Sequence, residues 1–160
     1  GADGYAVFGK VTKGMDVVAE SEKDEDAMRK EVLTLQSHEP FTTAAEVYGS
    51  LGERFPDHKL ADKTTAVSGQ CFMRAENYEK AAKTFERLVE KDDVDKVLMA
   101  ESLYWCGDCY TKEGNLDLKE AYKRFKRLDW DYPASKWAKF ARGRLLGDDL
   151  AKYDLIKEDE

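Results

Sequence analysis

Cysteine, proline, histidine and isoleucine are all scarce in this chain of 160 residues, at three, three, two and one copies. Three cysteines are too few to build a tetrahedral zinc site by themselves. Cys106 and Cys109 have a redox-like or half-zinc spacing, but no second pair exists and His38 and His58 lie far upstream. The thiols therefore read as core side chains. One Ile against 17 Ala, with Gly and Pro totalling 14, argues for helices rather than sheet. No stretch reaches the roughly 18 apolar residues that a membrane span needs, and the chain reads as soluble. Positive charge is also in deficit. A net charge of -7 argues against a non-specific binder of nucleic acid or of anionic membranes.

The elements of common active sites are missing too. Gly107, Gly114 and Gly143 stand alone in helical contexts, so no glycine-rich phosphate loop is present. His38 and His58 lie at helix junctions with no hydrolase motif near them and read as surface or capping residues. Asp92-Asp93 and Asp148-Asp149 lack the alternating spacing of a calcium loop and read as solvated turns. No catalytic residue, metal ligand or cofactor is expected.

Charged residues make up 37% of the chain, against roughly a quarter in an average domain. The hydrophobic share is 42% and includes 18 aromatics, enough for a core. The pattern within that share is a repeat. From Gly69, Phe72 follows at three residues, Ala81 at twelve, Phe85 at sixteen and Leu88 at nineteen. From Gly107, Tyr110 follows at three, then Ala121, Phe125 and Leu128 at fourteen, eighteen and twenty-one. Ala44, Tyr48, Leu51 and Pro56 reproduce the second half of the unit upstream, and Ala138, Ala141 and Leu145 follow Pro133 as Ala61, Thr64 and Ser68 follow Pro56.

The unit is a helical hairpin. Gly69 or Gly107 lets the second helix approach closely, and Ala81, Phe85 and Leu88 form its apolar stripe. Asn77 and Asp117 are helix starts. Helices are expected over 25–36, 41–55, 59–75, 78–91, 96–113, 118–131 and 135–151, giving an N-terminal extension or linker (1–24), a helical repeat domain (25–151) and an acidic tail (152–160). Gly1-Ala2-Asp3 has no initiator Met and no apolar leader, so the start reads as processed or as cut from a longer chain. Tyr104, Trp105, Trp130, Tyr132, Trp137 and Phe140 crowd the last hairpins and read as a core cluster, any exposed member being an interaction anchor.

These residues resemble the tetratricopeptide repeat over about 41–147. The nearest flavour is similar to the longer repeats of bacterial TolA-binding periplasmic proteins and outer-membrane assembly lipoproteins, through Tyr132-Pro133-Ala134-Ser135 with Ala138 and Ala141, and through Cys106-Gly107-Asp108-Cys109-Tyr110. Asp93 stands in place of a proline of the pattern, and 25–36 has no glycine at the expected place. The resemblance implies an all-α solenoid of about three antiparallel hairpins with a terminal helix, and no enzyme activity. Its binding face would be concave, lined by Lys63, Ala66, Gln70, Met73, Arg74, Glu101, Tyr104, Asp108, Thr111 and Lys112. With Ala66 and Gln70 where some members carry a lysine and asparagine clamp, chaperone-tail recognition is disfavoured.

The expected role is a non-catalytic scaffold that holds proteins or peptides in a bacterial extracytoplasmic assembly, in the periplasm or a similar compartment. A second reading is a self-assembling structural subunit that pairs through its solenoid ends and builds filaments or tubules of a large enzyme complex. Its apolar end would be Trp137, Phe140, Leu145, Leu146 and Leu150. A third is the accessory module of a prolyl isomerase, because residues 4–18 (Gly4-Tyr5-Ala6-Val7-Phe8-Gly9-Lys10-Val11 through Gly14-Met15-Asp16-Val17-Val18) are similar to a structural phrase late in cyclophilins.

Overall fold

The computed structural model describes residues 22–156, and every regular element among them is a helix. In chain order these are α1 (Glu22–Arg54), α2 (Ala61–Arg74), α3 (Tyr78–Val89), α4 (Lys96–Cys109), α5 (Leu118–Asp131), α6 (Lys136–Leu145) and α7 (Asp148–Ile156). The cyclophilin-like phrase at 4–18 lies outside the described residues. Two compact units divide at Pro40, Gly1–Pro40 and Phe41–Glu160.

In the first unit the described residues belong to α1, with Val32 buried. Thr34 Oγ1 and Ser37 Oγ turn back onto the carbonyls of Lys30 and Thr34, at 2.9 and 2.8 Å. Two separate helices are expected over 25–36 and 41–55, but α1 is continuous and carries Pro40 in its interior. Proline removes one amide hydrogen from the ladder and crowds the carbonyl four residues before it, whereas extending an existing helix avoids the cost of nucleating a new one.

The second unit is a stack of hairpins in which consecutive helices from α2 to α6 pack pairwise. Side-chain caps start the helices: Asn77 accepts from the Lys80 amide, Asp117 from Glu120, Asp95 from Val97 and Leu98, and Ser135 from Ala138. His58 Nδ1 accepts from the Leu60 amide just ahead of α2, a capping role. At the carboxyl end of α3, Arg127 Nη1 donates to the Val89 carbonyl at 2.6 Å, placing a cation against the negative helix end.

Phe85 and Phe125 are the fully buried centres of the two hairpins. A Cβ added at Gly69 would lie 2.7 Å from Phe85 Cζ, and one at Gly107 would lie 2.8 Å from Phe125 Cε1. Glycine is thus required because each aromatic ring lies flush against the facing backbone. The upstream half-unit keeps this logic one residue out of register. Within the part of α1 that belongs to the second unit, Ala45, Gly49 and Gly52 are buried, whereas Tyr48 and Leu51 are 39% and 37% exposed. A Cβ at Gly49 would meet Ser68 Oγ at 3.1 Å and one at Gly52 would meet Thr65 Oγ1 at 2.7 Å, so α2 rests directly on the small-residue face. Ser68 Oγ seals the contact by donating to the Ala45 carbonyl at 2.6 Å.

The helix expected over 135–151 is two helices. Gly147 ends α6, its amide donating to the Arg144 carbonyl, while its own carbonyl accepts from Leu150 and Ala151 to begin α7. This turn folds α7 against α5 and α6. Leu145 and Leu150 are buried in the same core as Phe125, and the Tyr122 and Tyr153 rings lie 5.7 Å apart. Tyr122 Oη donates to Asp154, which also pairs with Lys126 at 2.8 Å. Part of the expected acidic tail, up to Ile156, is therefore helical. Asp148 and Asp149 form the first turn of α7 instead of a loop.

Candidate functional site: the face of α2, α4 and α6

The backbone of α4 approaches both α2 and α6, whereas α3 and α5 have no comparable approach. The second unit therefore bends toward α2, α4 and α6, and these helices line the inner face.

Residues 97, 101, 104, 105 and 108 share one side of α4 at helical spacing. Val97, near its start, is exposed. One turn on, Glu101 accepts a hydrogen bond from Gln70 Nε2 at 3.1 Å, linking α4 to α2. Tyr104 and Trp105 follow, half-buried, with ring centres 5.1 Å apart. Trp137 and Phe140 of α6 complete a four-ring surface: Tyr104 lies 5.3 Å from Trp137 and 6.0 Å from Phe140, and Trp105 lies 5.5 Å from Trp137. Phe140 is 50% exposed.

Beyond the rings a polar latch ties α4 to α6. Arg144 Nη1 donates to Asp108 Oδ1 at 2.6 Å and Nη2 to Thr111 Oγ1 at 2.8 Å, with its guanidinium 5.2 Å from the Phe125 ring. Lys112 Nζ stands 3.7 Å from the other Asp108 oxygen. Asp108 is only 7% exposed, so its carboxylate is a structural counter-ion turned into the fold. The expectation that it lines the surface is corrected, because two cations and a neighbouring hydroxyl occupy this region. Ala66 is buried as well. Lys63 and Arg74 are exposed on α2, Arg74 lying 5.6 Å from the Phe41 ring, and Met73 is half-buried against the Phe85 core.

At the amino-terminal ends of α2 and α4 the same face opens into a groove of about 800 Å³, lined by Leu60, Lys63, Asp95, Val97, Leu98 and Glu101 among others. Leu60 and Val97 are exposed there. Trp105, Trp137, Phe140 and Arg144 were absent from the expected face. Their signal was available in the spacing, since 137, 140 and 144 repeat the 101, 104, 108 pattern one hairpin on. Trp130, expected in the core cluster, is 87% exposed at the end of α5.

The three thiols are free, Cys106 and Cys109 fully buried and Cys71 half-buried. Burial pushes the Cys106 thiol up to about 12, outweighing the nearby Arg124. Burial, with Cys106 and Asp108 close by, raises Cys109 as well. Such thiols are poor nucleophiles. Alkylation of the folded protein is expected to modify Cys71 first and to spare the other two until denaturant is added, as peptide mass mapping will show. Because both folded thiols hold their protons above the ordinary range, stability is fully present below about pH 8.5. It is lost as pH rises above that, each group adding up to about 1.4 kcal/mol per pH unit. Denaturant midpoints between pH 7 and 11 test this, and a Cys106→Ala variant will show a shallower fall.

Residues 68–93 match the family model of the tetratricopeptide repeat. They run from the second half of α2 through α3, and include Gly69, Phe72, Ala81, Phe85 and Leu88. No curated protein and no solved structure matches the chain. The second unit is an all-α stack of consecutive helix pairs, consistent with a solenoid of the tetratricopeptide type, whose repeats generally mediate protein–protein contacts and are in general non-catalytic. Among the described residues no helix is long and apolar enough to cross a membrane.

Proposed function

We propose that the chain is a non-catalytic scaffold whose α2–α4–α6 face grips segments of partner proteins. The observation that carries this reading is the four-ring surface of Tyr104, Trp105, Trp137 and Phe140, partly open to solvent on the inside of the bend. Aromatic side chains dominate binding hot spots because they exchange a large apolar area for water at low conformational cost. The placement of the assembly, bacterial and extracytoplasmic, is supported by the Tyr132-Pro133-Ala134-Ser135 and Cys106–Tyr110 phrases. The self-assembly alternative has less behind it. Of its expected end residues, Leu145 and Leu150 are buried in the core that α7 completes, while Phe140 and Leu146 stay exposed.

Phe140→Ala is the test. Half-exposed, the ring contributes little to the core, so helical content and melting temperature stay near wild type. Partner recovery from native extract is expected to fall at least about tenfold, as for truncation of a hot-spot residue. Equal recovery by wild type and variant would remove this face from the function.

A further inference from the structure

Helix α3 buries two sides. Ala81, Phe85 and Leu88 lie on one, with Phe85 against Gly69 of α2. Ala82 and Val89 lie on the other, toward α4: Cys106 Sγ is 3.9 Å from the Ala82 carbonyl, and Val89 shares a core with Met99 and Leu103. Counting back thirty-seven residues gives the same two sides in the carboxyl-terminal half of α1. Ala45 and Gly52 correspond to Ala82 and Val89, and α2 covers them. Ala44, Tyr48 and Leu51 correspond to Ala81, Phe85 and Leu88, yet Tyr48 and Leu51 are open to solvent, with Val47 and Phe55 exposed beside them. The neighbouring side of α2 repeats the contrast. Ser102 and Cys109 are sealed in α4, whereas their counterparts thirty-eight residues earlier, Thr64 and Cys71, are only half-buried. Among the described residues of the second unit, the first hairpin thus has its second helix without its first.

We infer that this open side docks one amphipathic helix of a partner protein, antiparallel to α1, with glycine, alanine or serine where it crosses Tyr48. The surface is separate from the α2–α4–α6 face, since its stripe lies on α1. Its template is the next hairpin, in which the ring at the Tyr48 position lies against the bare backbone of Gly69. The stripe from Ala44 to Phe55 is about 16 Å long, three turns, the contact length of a single helix. The exposed parts of Val47, Tyr48, Leu51 and Phe55 amount to roughly 300 Å², well short of the roughly 800 Å² per partner that a stable dimer buries. A second copy meeting this stripe with its own would also set large side chains against large ones, where the template has a ring against glycine. A helix laid along an apolar groove, read through anchors three and four residues apart, is a general mode of recognition.

A library of 18-residue peptides on a helix-forming Ala, Glu and Lys framework, randomised along one face and selected on the immobilised full chain, tests this. Selected sequences are expected to be enriched several-fold in Gly, Ala or Ser at one central position, with Leu, Ile or Met three and four residues away. The affinity of a synthesised consensus peptide is expected to drop about tenfold in Val47→Glu and in Phe55→Ala, and to stay unchanged in Phe140→Ala. Val47 and Phe55 are more than half exposed, so both variants keep a melting temperature near wild type. The bound peptide is expected to slow alkylation of Cys71 several-fold, because it closes the side on which Cys109 is already sealed. Failure to select any peptide sensitive to Val47→Glu would overturn the proposal, as would a large residue selected at the central position. A concentration-dependent dimer of the chain alone, abolished by Val47→Glu in sedimentation, would give the face to a second copy and also overturn it. The reading of the inner face is decided separately, by Phe140→Ala.

Discussion

Truncating Phe125 to alanine is expected to destabilise the protein by about 3–5 kcal/mol, the range for removing a large ring from a core that cannot collapse around the space. The ring has no exposed surface, lies against Gly107, and supports Tyr104 at 5.7 Å and the Arg144 guanidinium at 5.2 Å. The walls of the resulting cavity are backbone and locked aromatics, so little relaxation is open to them. Urea unfolding reads the loss directly. Phe85→Ala in the preceding hairpin is expected to cost a similar amount, since Phe85 occupies the equivalent socket over Gly69. A loss below about 1 kcal/mol at either ring would mean that the hairpins are not held by their sockets.

The complementary substitution fills the socket instead of emptying it. A Cβ at Gly107 falls 2.8 to 3.0 Å from three atoms of the Phe125 ring, the nearest of them closer than real Cβ contacts come. Gly107→Ala is therefore expected to cost about 1–3 kcal/mol through overpacking, and Gly107→Leu more. The general preference of helices for alanine over glycine, worth about 1 kcal/mol, acts in the opposite direction and is outweighed. Gly143 provides the control. It lies in α6 with nothing within 4 Å of its added Cβ, so Gly143→Ala is expected to be neutral or to stabilise slightly. Combining Gly107→Ala with Phe125→Leu makes room for the new methyl, and the double variant should lose less than the sum of the two singles. Strict additivity would show that the clash is relieved by movement elsewhere.

The sockets were legible in the sequence because both partners recur at matching positions, Gly69 with Phe85 and Gly107 with Phe125. The caps Asn77 and Asp117 were legible for a similar reason: a short polar side chain stands directly before an apolar stripe. What went unread was mainly a matter of which neighbour a helix meets. In α1 the larger side chains Tyr48 and Leu51 drew the stripe, whereas α2 rests on Gly49 and Gly52. Periodicity locates an apolar side but not a contact made by small residues. The break expected between 36 and 41 does not occur, and α1 runs through Pro40. The break at Gly147 was hidden because Leu146 and Leu150, four residues apart, continue an apolar helical spacing through the turn.

The proposed face was only half visible. Of the residues that the resemblance put on it, Lys63, Gln70, Met73, Arg74, Glu101, Tyr104, Thr111 and Lys112 lie on or beside α2 and α4. Asp108 was in the same set, but Arg144, thirty-six residues away, draws its carboxylate inward. The contribution of α6 needed the third dimension, because only packing of successive hairpins brings Trp137 and Phe140 beside Tyr104.

The ring-on-glycine sockets have a further consequence for recognition. The separation of the helices in each hairpin is set by the thickness of an aromatic ring against bare backbone, a length that side-chain rotamers cannot alter. The second unit thus works as a ruler graduated in identical steps, and the spacing of anchor points along its inner face is fixed before any partner arrives. Most of the ordering entropy of that face is settled during folding. A partner has only its own flexibility to lose, and a change at Gly69 or Gly107 alters the pitch of the surface without touching any residue on it.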